Sequence, residues 1–224
     1  MILDITGVIE EGMWNYDYPY PEINIKPLPK VDWVDGEVFS EIFEGLHSQT
    51  GTYLETPAHY FGNNNSYLLI DVPVEKLVSI DCTVLQVADY NIEDLNNRPA
   101  ITLEDLLTCE GAEEIEEGNA IVVGTGWGKY WKHKDYLNLS PFFKREAIEW
   151  IISKKPLLLG SDLARWENLE KPEGFFPAFY KADILMAGPF INIEKIEKTK
   201  CKLTILPLKV VRTSCAPCRA IVEY

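Results

Sequence analysis

From about residue 72 onward, short apolar runs typical of buried strands alternate with segments typical of helices. A strand with one face in water would alternate apolar and polar residues, so continuous apolar runs indicate burial on both faces. Strands that alternate with helices favour an α/β domain. The predicted buried strands are residues 79–88, 119–124 and 156–160.

The helices between these strands begin at capping residues. Thr102 is an N-cap candidate with Asp105 three residues later, a near match to a capping box over residues 102–107. Ser140 followed by Pro141 is typical of an N-cap and a first helical position, and predicts a helix to about Ile152.

The remaining segments are predicted to add strands at both ends of the chain. We expect strands at 2–9, 38–43 and 202–211, a short helix at 182–187, a turn at 212–217 and a final strand at 219–222. Cys215 and Cys218 form a C-x-x-C pair in this turn; one pair is two ligands short of a zinc site, so a structural turn is favoured. No repeat or flexible linker interrupts the chain, and residues 1–224 are predicted to form one domain.

Composition narrows the classes of partner. The chain of 224 residues carries a net charge of -14 and has a pI of about 4.7, so nucleic acid and anionic membrane surfaces are not expected partners. No apolar run approaches the ~18 residues that span a bilayer. The odd number of cysteines fits a reducing compartment, and no secretory signal is visible, so a cytoplasmic location is expected.

Residues 48–62 concentrate polar side chains that can transfer protons or bind metals. If the run up to Glu55 is extended, Gln49, Tyr53 and Glu55 lie on one face, because side chains alternate with period two. Pro57 ends strand pairing and introduces a kink that could bring His59 back to that face. We therefore expect Gln49, Tyr53, Glu55 and His59 to converge on one small volume.

Further candidate site residues follow two of the predicted strands. A glycine-rich turn at 125–128 suits a site at the carboxyl end of a strand but lacks the spacing of a nucleotide-phosphate loop. Asp162 follows the next strand and could either bind substrate or cap the turn that follows it. The aromatic side chains that could line a pocket are Trp14, Tyr18, Trp127 and Trp166.

The run from Gln49 to His59 resembles the signature His-x-Gly-x-His-x-Asp-x-Pro-x-His of the cyclase family of metal-dependent hydrolases, which includes bacterial kynurenine formamidases. Segments similar to other family patterns occur in the right order at residues 3–6 with 11–13, 122–127, 160–162, and 206–209 with 216–220. The resemblance implies an α/β fold of the swivelling β/β/α type with a mixed central sheet, and a homodimer or homotetramer in which neighbouring subunits help to close each site.

In metal-dependent members the first two signature histidines and the aspartate bind zinc or manganese, and the last histidine transfers protons. Here the ligand positions are Gln49, Tyr53 and Glu55, and the proton-transfer histidine is retained as His59. Glu55 and His59 are good metal ligands, Gln49 is a weak one, and Tyr53 would have to ionise from a pKa of about 10. We expect a metal-free site, with one divalent ion (Mn²⁺, Mg²⁺ or Zn²⁺) as the alternative.

Two functions are compatible with these residues. The first is a small-molecule hydrolase, or a related lyase or cyclase, that acts on an amide, formamide, cyclic amide or lactone. Glu55 and His59 would transfer protons, Tyr53 would stabilise an oxyanion, and Gln49 would bind substrate. The second is a non-catalytic protein that binds a small molecule in the same pocket. Retention of two titratable side chains, Glu55 and His59, favours the first function, an enzyme. The expected class is that of hydrolases acting on C–N bonds other than peptide bonds.

Overall fold

The computed structural model describes residues 1–31, 33, 35–36, 38–87 and 89–224. Within them the strands are β1 (Ile2–Asp4), β2 (Asn24–Pro27), β3 (Glu41–Glu44), β4 (Tyr53–Glu55), β5 (Ile80–Gln86), β6 (Ala100–Ile101), β7 (Ala120–Gly124), β8 (Phe142–Phe143), β9 (Leu158–Ser161), β10 (Leu185–Gly188), β11 (Lys200–Pro207) and β12 (Cys215–Glu223). The α-helices are α1 (Ala58–Phe61), α2 (Leu103–Leu107), α3 (Arg145–Ser153) and α4 (Phe175–Lys181).

The main sheet closes on itself. Its order is β1-β12-β11-β5-β7-β9-β10-β4, and β4 also pairs with β12, so that the strands from β12 to β4 form a closed ring. β5, β7, β9 and β10 are parallel, whereas β4 is antiparallel to both of its neighbours. The predicted α/β class and mixed sheet are confirmed, and the closure places the short strand β4 between β10 and β12.

Apolar side chains pack on both faces of this sheet. In β7, Val122 belongs to the cluster inside the ring with Leu54 and Leu203. Its neighbours Ile121 and Val123 belong to the cluster that packs beneath the helices. Alternate residues of one strand therefore serve two cores, which explains the continuous apolar run in the sequence.

Several predicted elements are confirmed. The buried strands at 79–88, 119–124 and 156–160 correspond to β5, β7 and β9, although Ala88 lies outside the described residues. The capping box of α2 is present: Thr102 Oγ1 accepts from the Asp105 N–H at 3.2 Å, and the Thr102 N–H donates to Asp105 at 2.8 Å.

The helix predicted from Pro141 was wrong in its first turn. Phe142 and Phe143 form β8, parallel to β6, and the helix α3 begins only at Arg145. The Phe142 N–H donates to the carbonyl of Pro99 at 3.1 Å. Pairing with a distant segment therefore prevails over the local Ser-Pro capping signal.

Two predictions in the C-terminal third were also wrong. Residues 182–187, predicted as a helix, contain β10, which pairs with β9 and β4, and the helix precedes it at Phe175–Lys181. The predicted turn at 212–217 is shifted, because β12 already begins at Cys215. The C-x-x-C pair thus lies in a strand.

The strands expected at 2–9 and 38–43 are shorter than predicted. β1 covers only the first part of the strand expected at 2–9. β3 overlaps the strand expected at 38–43 and pairs with β2 in a separate hairpin.

None of the helices in the described part of the chain has the length and apolar character needed to cross a bilayer.

Candidate active site

A cavity of about 360 Å³, here called the Glu55 cavity, lies beside β4 on the outer face of the closed sheet. Gln49, Tyr53, Glu55 and His59 all lie on its wall. The rest of its wall comes from the loops at 16–20 and 164–169, together with Phe176 and Met186. The structure therefore brings together the four side chains that the sequence predicted to converge.

The local backbone explains this convergence only in part. Tyr53 and Glu55 point to the same side of β4, while Leu54 points into the core, as the period of a strand requires. The expected extended run does not reach Gln49, because residues 48–52 form turns. Gly51 has φ +69, and a Cβ there would lie 2.8 Å from Ile9 Cγ1, so this turn requires glycine.

His59 reaches the cavity from α1, directly after Pro57. Its backbone N–H donates to the carbonyl of Thr56 at 2.9 Å. Its Nε2 lies 3.9 Å from Glu55 Oε2. Burial lowers the pKa of His59, so that the imidazole is neutral at pH 7 and can accept a proton.

Glu55 is a fully buried carboxyl group surrounded by donors. The hydroxyl of Tyr180 donates to Oε1, and Gln49 Nε2 donates to Oε2 at 3.4 Å. Burial raises the pKa of Glu55 to about 8, against the opposing effect of hydrogen bonds from Cys215 and Gln49. A carboxyl group with a pKa near neutrality can both accept and donate a proton under physiological conditions.

Cys215 is a site residue that the sequence prediction missed. It is the β12 partner of Glu55, and its Sγ lies 3.5 Å from Glu55 Oε2 and 3.2 Å from His59 Nδ1. Burial raises the pKa of the thiol. The sequence marked Cys215 only as half of a C-x-x-C pair, and the closure of the sheet is what brings residue 215 beside residue 55.

Tyrosine hydroxyls fix the orientation of Tyr53 and Gln49. Tyr16 donates to the carbonyl of Ala164 at 2.9 Å, so Tyr53 is the donor in its 2.9 Å hydrogen bond with Tyr16. The proton of Tyr53 is therefore engaged, and the oxyanion role expected for Tyr53 would require this bond to break. Tyr20 donates to Gln49 Oε1 at 2.7 Å, which directs the Gln49 amide nitrogen toward Glu55.

Of the other predicted pocket residues, Tyr18 and Trp166 lie on the wall of this cavity, whereas Trp14, Trp127 and Asp162 lie apart from it. Trp127 is fully buried, and its indole N–H donates to the carbonyl of Tyr136 at 2.9 Å. Trp14 packs on Trp131 at a ring-centroid distance of 5.2 Å. Asp162 is buried and accepts from the backbone N–H of Trp127 at 2.8 Å and from Thr125 Oγ1 at 2.8 Å. Asp162 therefore caps the 125–128 turn, which precedes it in the chain, and not the turn that follows it.

Glu55, His59 and Cys215 also form a cluster of metal-ligand types. One potential ligand atom from each lies within 4.8 Å of the others. In tetrahedral zinc sites with metal–ligand distances of about 2.0–2.3 Å, neighbouring ligand atoms are about 3.3–3.7 Å apart. The 3.2 Å and 3.5 Å separations from Cys215 Sγ are close to that range. These three side chains are therefore a candidate set of ligands for a single divalent ion, whereas Gln49 already shares its carbonyl oxygen with Tyr20.

The closed mixed sheet and the cavity with its cluster of polar side chains define an α/β protein with a candidate small-molecule site. Residues 3–168 match the Cyclase family model, described as putative cyclase, and the chain belongs to this family. It is 26% identical to the isatin hydrolase of Roseibium aggregatum over 249 residues, covering 98% of this chain and 90% of that protein. Family, fold and relative together support a small-molecule hydrolase.

Similar folds occur in several solved structures. A crystal structure of an isatin hydrolase bound to the product analogue thioisatinate superposes with a TM-score of 0.81 at 20% identity, covering 99% of this chain and 91% of the other. Isatin hydrolase A from Ralstonia solanacearum gives a TM-score of 0.80 at 16% identity, with 99% and 91% covered. A predicted metal-dependent hydrolase from Bacillus stearothermophilus gives 0.74 at 19% identity, with 99% and 97% covered.

Proposed function

We propose that this chain hydrolyses a small amide, formamide, cyclic amide or lactone in the Glu55 cavity. The observation that carries the proposal is the pairing of a buried carboxyl group, of pKa about 8, with a neutral imidazole 3.9 Å away on the cavity wall. The similarity to isatin hydrolase supports the substrate class, because isatin contains a cyclic amide.

The two side chains have complementary roles in this proposal. His59 accepts a proton from the water that attacks the substrate carbonyl, because its imidazole is neutral and the least buried member of the group. Glu55 holds a proton near neutral pH and passes it to the leaving nitrogen or oxygen. Gln49 and Tyr180 hold the carboxyl group in place through their hydrogen bonds.

The names of structural neighbours describe metal-dependent hydrolases, and the donor set of this chain fits one ion. Glu55, His59 and Cys215 would hold it, and the thiolate favours zinc over Mg²⁺ or Mn²⁺. A bound ion would supply Lewis-acid polarisation of the substrate carbonyl. His59 cannot be a metal ligand and a proton acceptor through the same nitrogen. Metal analysis of the purified protein distinguishes these two roles, because stoichiometric zinc would make His59 a ligand.

The proposal is tested by turnover on a panel of formamides, cyclic amides and lactones. His59→Ala and Glu55→Gln are expected to lower kcat by about 10² or more, because each removes a proton-transfer or ligand group. His133→Ala is the matched control, since His133 lies apart from the cavity on a surface turn. Full activity of His59→Ala would refute the assignment. A compound that stabilises the protein without being turned over would instead favour the non-catalytic binding function.

We further propose that the fold is of the swivelling β/β/α type, that the chain forms a homodimer or homotetramer, and that it works in the cytoplasm. Ile25, Ile42 and Phe43 are exposed on the β2–β3 hairpin and offer apolar surface to a second copy. Sedimentation of wild-type protein and of Phe43→Glu measures the assembly; a monomeric wild type would refute it.

A further inference from the structure

One permanently charged cation lies on the wall of the Glu55 cavity. Arg165 is the only Arg or Lys on this wall among the residues that the structure describes. Its side chain is 17% exposed. Its backbone is held on both sides, because its N–H donates to Ser140 Oγ at 3.1 Å and its carbonyl accepts from Arg98 at 2.7 Å. The charge is thus presented to the cavity from a fixed segment.

The present ion-pair partner of Arg165 is easily replaced. Arg165 Nη2 lies 2.6 Å from Oδ2 of Asp17, whose side chain is 83% exposed. A carboxylate this exposed loses little when it returns to water, so the pair contributes little stability. Another wall carboxylate, that of Glu167, is engaged by backbone N–H groups at residues 168 and 173–175. Asp17 is therefore the group that an incoming anion would displace.

The surroundings of Arg165 are aromatic and lead toward the proton-transfer pair. Tyr18, Trp166 and Phe176 contribute to the same wall, and flat apolar walls favour a planar ligand. Tyr16 lies between these groups. It directly precedes Asp17, the ion-pair partner of Arg165, and its hydroxyl is hydrogen-bonded to Tyr53, two residues before Glu55. Arg165 and Glu55 lie on the wall of the same cavity of about 360 Å³, so one small ligand can be offered both groups.

We propose that Arg165 binds a carboxylate of the substrate, which displaces Asp17, and that the substrates are planar aromatic acids that carry an amide or lactone group. This inference rests on the proposed function, because it assigns the substrate class of the same cavity. Guanidinium and carboxylate form two parallel hydrogen bonds when both are free to align, so the ligand pair is stronger than the single contact to Asp17.

The test compares benzoate with its neutral analogue benzamide by calorimetry. Wild-type protein is expected to bind benzoate about tenfold or more tightly than benzamide, the ratio typical of a partly buried charged hydrogen bond. Arg165→Met should abolish this preference and leave benzamide binding unchanged. Asp17→Asn should strengthen benzoate binding, because it removes the competing carboxylate. Arg145→Met is the matched control: Arg145 is also ion-paired, with Glu149 on the exposed side of α3, and should not alter either affinity.

These outcomes separate the inference from the proposed function. Equal binding of benzoate and benzamide to the wild type, or an unchanged preference in Arg165→Met, overturns the inference even if amides are hydrolysed. A preference for benzoate that depends on Arg165, without turnover of any amide or lactone, upholds the inference and refutes hydrolysis. If Arg165→Met does not fold, the Asp17→Asn result decides, since the substituted side chain is exposed: no gain in benzoate affinity overturns the inference.

Discussion

The buried carboxyl group of Glu55 should make the stability of this protein fall as the pH rises. Burial raises the pKa of Glu55 from its ordinary value of 4.5 to about 8 in the folded chain. Below pH 4.5 the group is protonated in both the folded and unfolded states and has no effect. Between pH 4.5 and about 8 the unfolded chain loses the proton while the folded chain retains it, so the free energy of unfolding declines.

The size of this effect follows from the width of the pH window. Each pH unit in which only the unfolded chain is ionised lowers the free energy of unfolding by about 1.4 kcal/mol, and the whole window amounts to about 5 kcal/mol. Glu55→Gln removes the titration while keeping the shape of the side chain. The hydrogen bond that Gln loses is a constant cost and does not change with pH. Between pH 5 and pH 8 the variant should therefore lose less stability than the wild type.

Urea unfolding of the chelator-treated proteins at several pH values between about 5 and 8 measures this difference. Titrating groups that do not contact Glu55 are shared by the two proteins and cancel when the variant is compared with the wild type. Glu149→Gln, at an exposed ion-paired carboxylate on α3, is the control and should follow the wild type. A difference between wild type and Glu55→Gln that stays constant over this pH range would show that Glu55 is ionised in the folded protein, and would refute the reasoning.

The remaining predictions concern three other positions. Binding of zinc to the chelator-treated protein should release protons, which titration with a pH indicator measures. Cys215→Ser should weaken zinc binding more than Cys218→Ser. Equal effects of the two substitutions would exclude Cys215 as a ligand. Thr52→Val should cost about 2–5 kcal/mol in urea unfolding, because the buried Thr52 hydroxyl bridges two backbone groups at 2.8 and 2.6 Å. Arg98→Met should raise KM and lower the melting temperature, because Arg98 donates to four carbonyls and supports the wall loop at 165–167; an unchanged KM would contradict this role.

The parts of the fold that could be predicted are those in which local pattern and tertiary environment agree. β7 is buried on both faces, so its sequence is continuously apolar and indicates a strand without ambiguity. The segment that contains β10 is equally apolar, but a run so short can be read as a helix or a strand. Its pairing with β4 and β9, which decides the matter, joins residues far apart in the chain.

The same distinction holds for the candidate site. Gln49, Glu55 and His59 lie within eleven consecutive residues, so a local reading of the chain could group them. Tyr180 and Cys215 contact Glu55 across 125 and 160 residues of sequence. Their contribution depends on the closure of β4 between β10 and β12, and no local pattern in the sequence contains that register.

Cys215 restores a third potential metal ligand to a site in which Gln49 and Tyr53 stand at the histidine positions of the family signature. The loss of histidines at positions 49 and 53 suggests a site that can no longer hold metal, but the thiol supplies a third good ligand from β12. Without an ion, burial favours the neutral form of every member, since it raises the pKa values of Glu55 and Cys215 and lowers that of His59. With a divalent ion, ionised Glu55 and Cys215 would balance its two positive charges. An ionised Glu55 without a positively charged partner would be costly in this buried position. The neutral metal-free site and the metal-bound site both avoid that state.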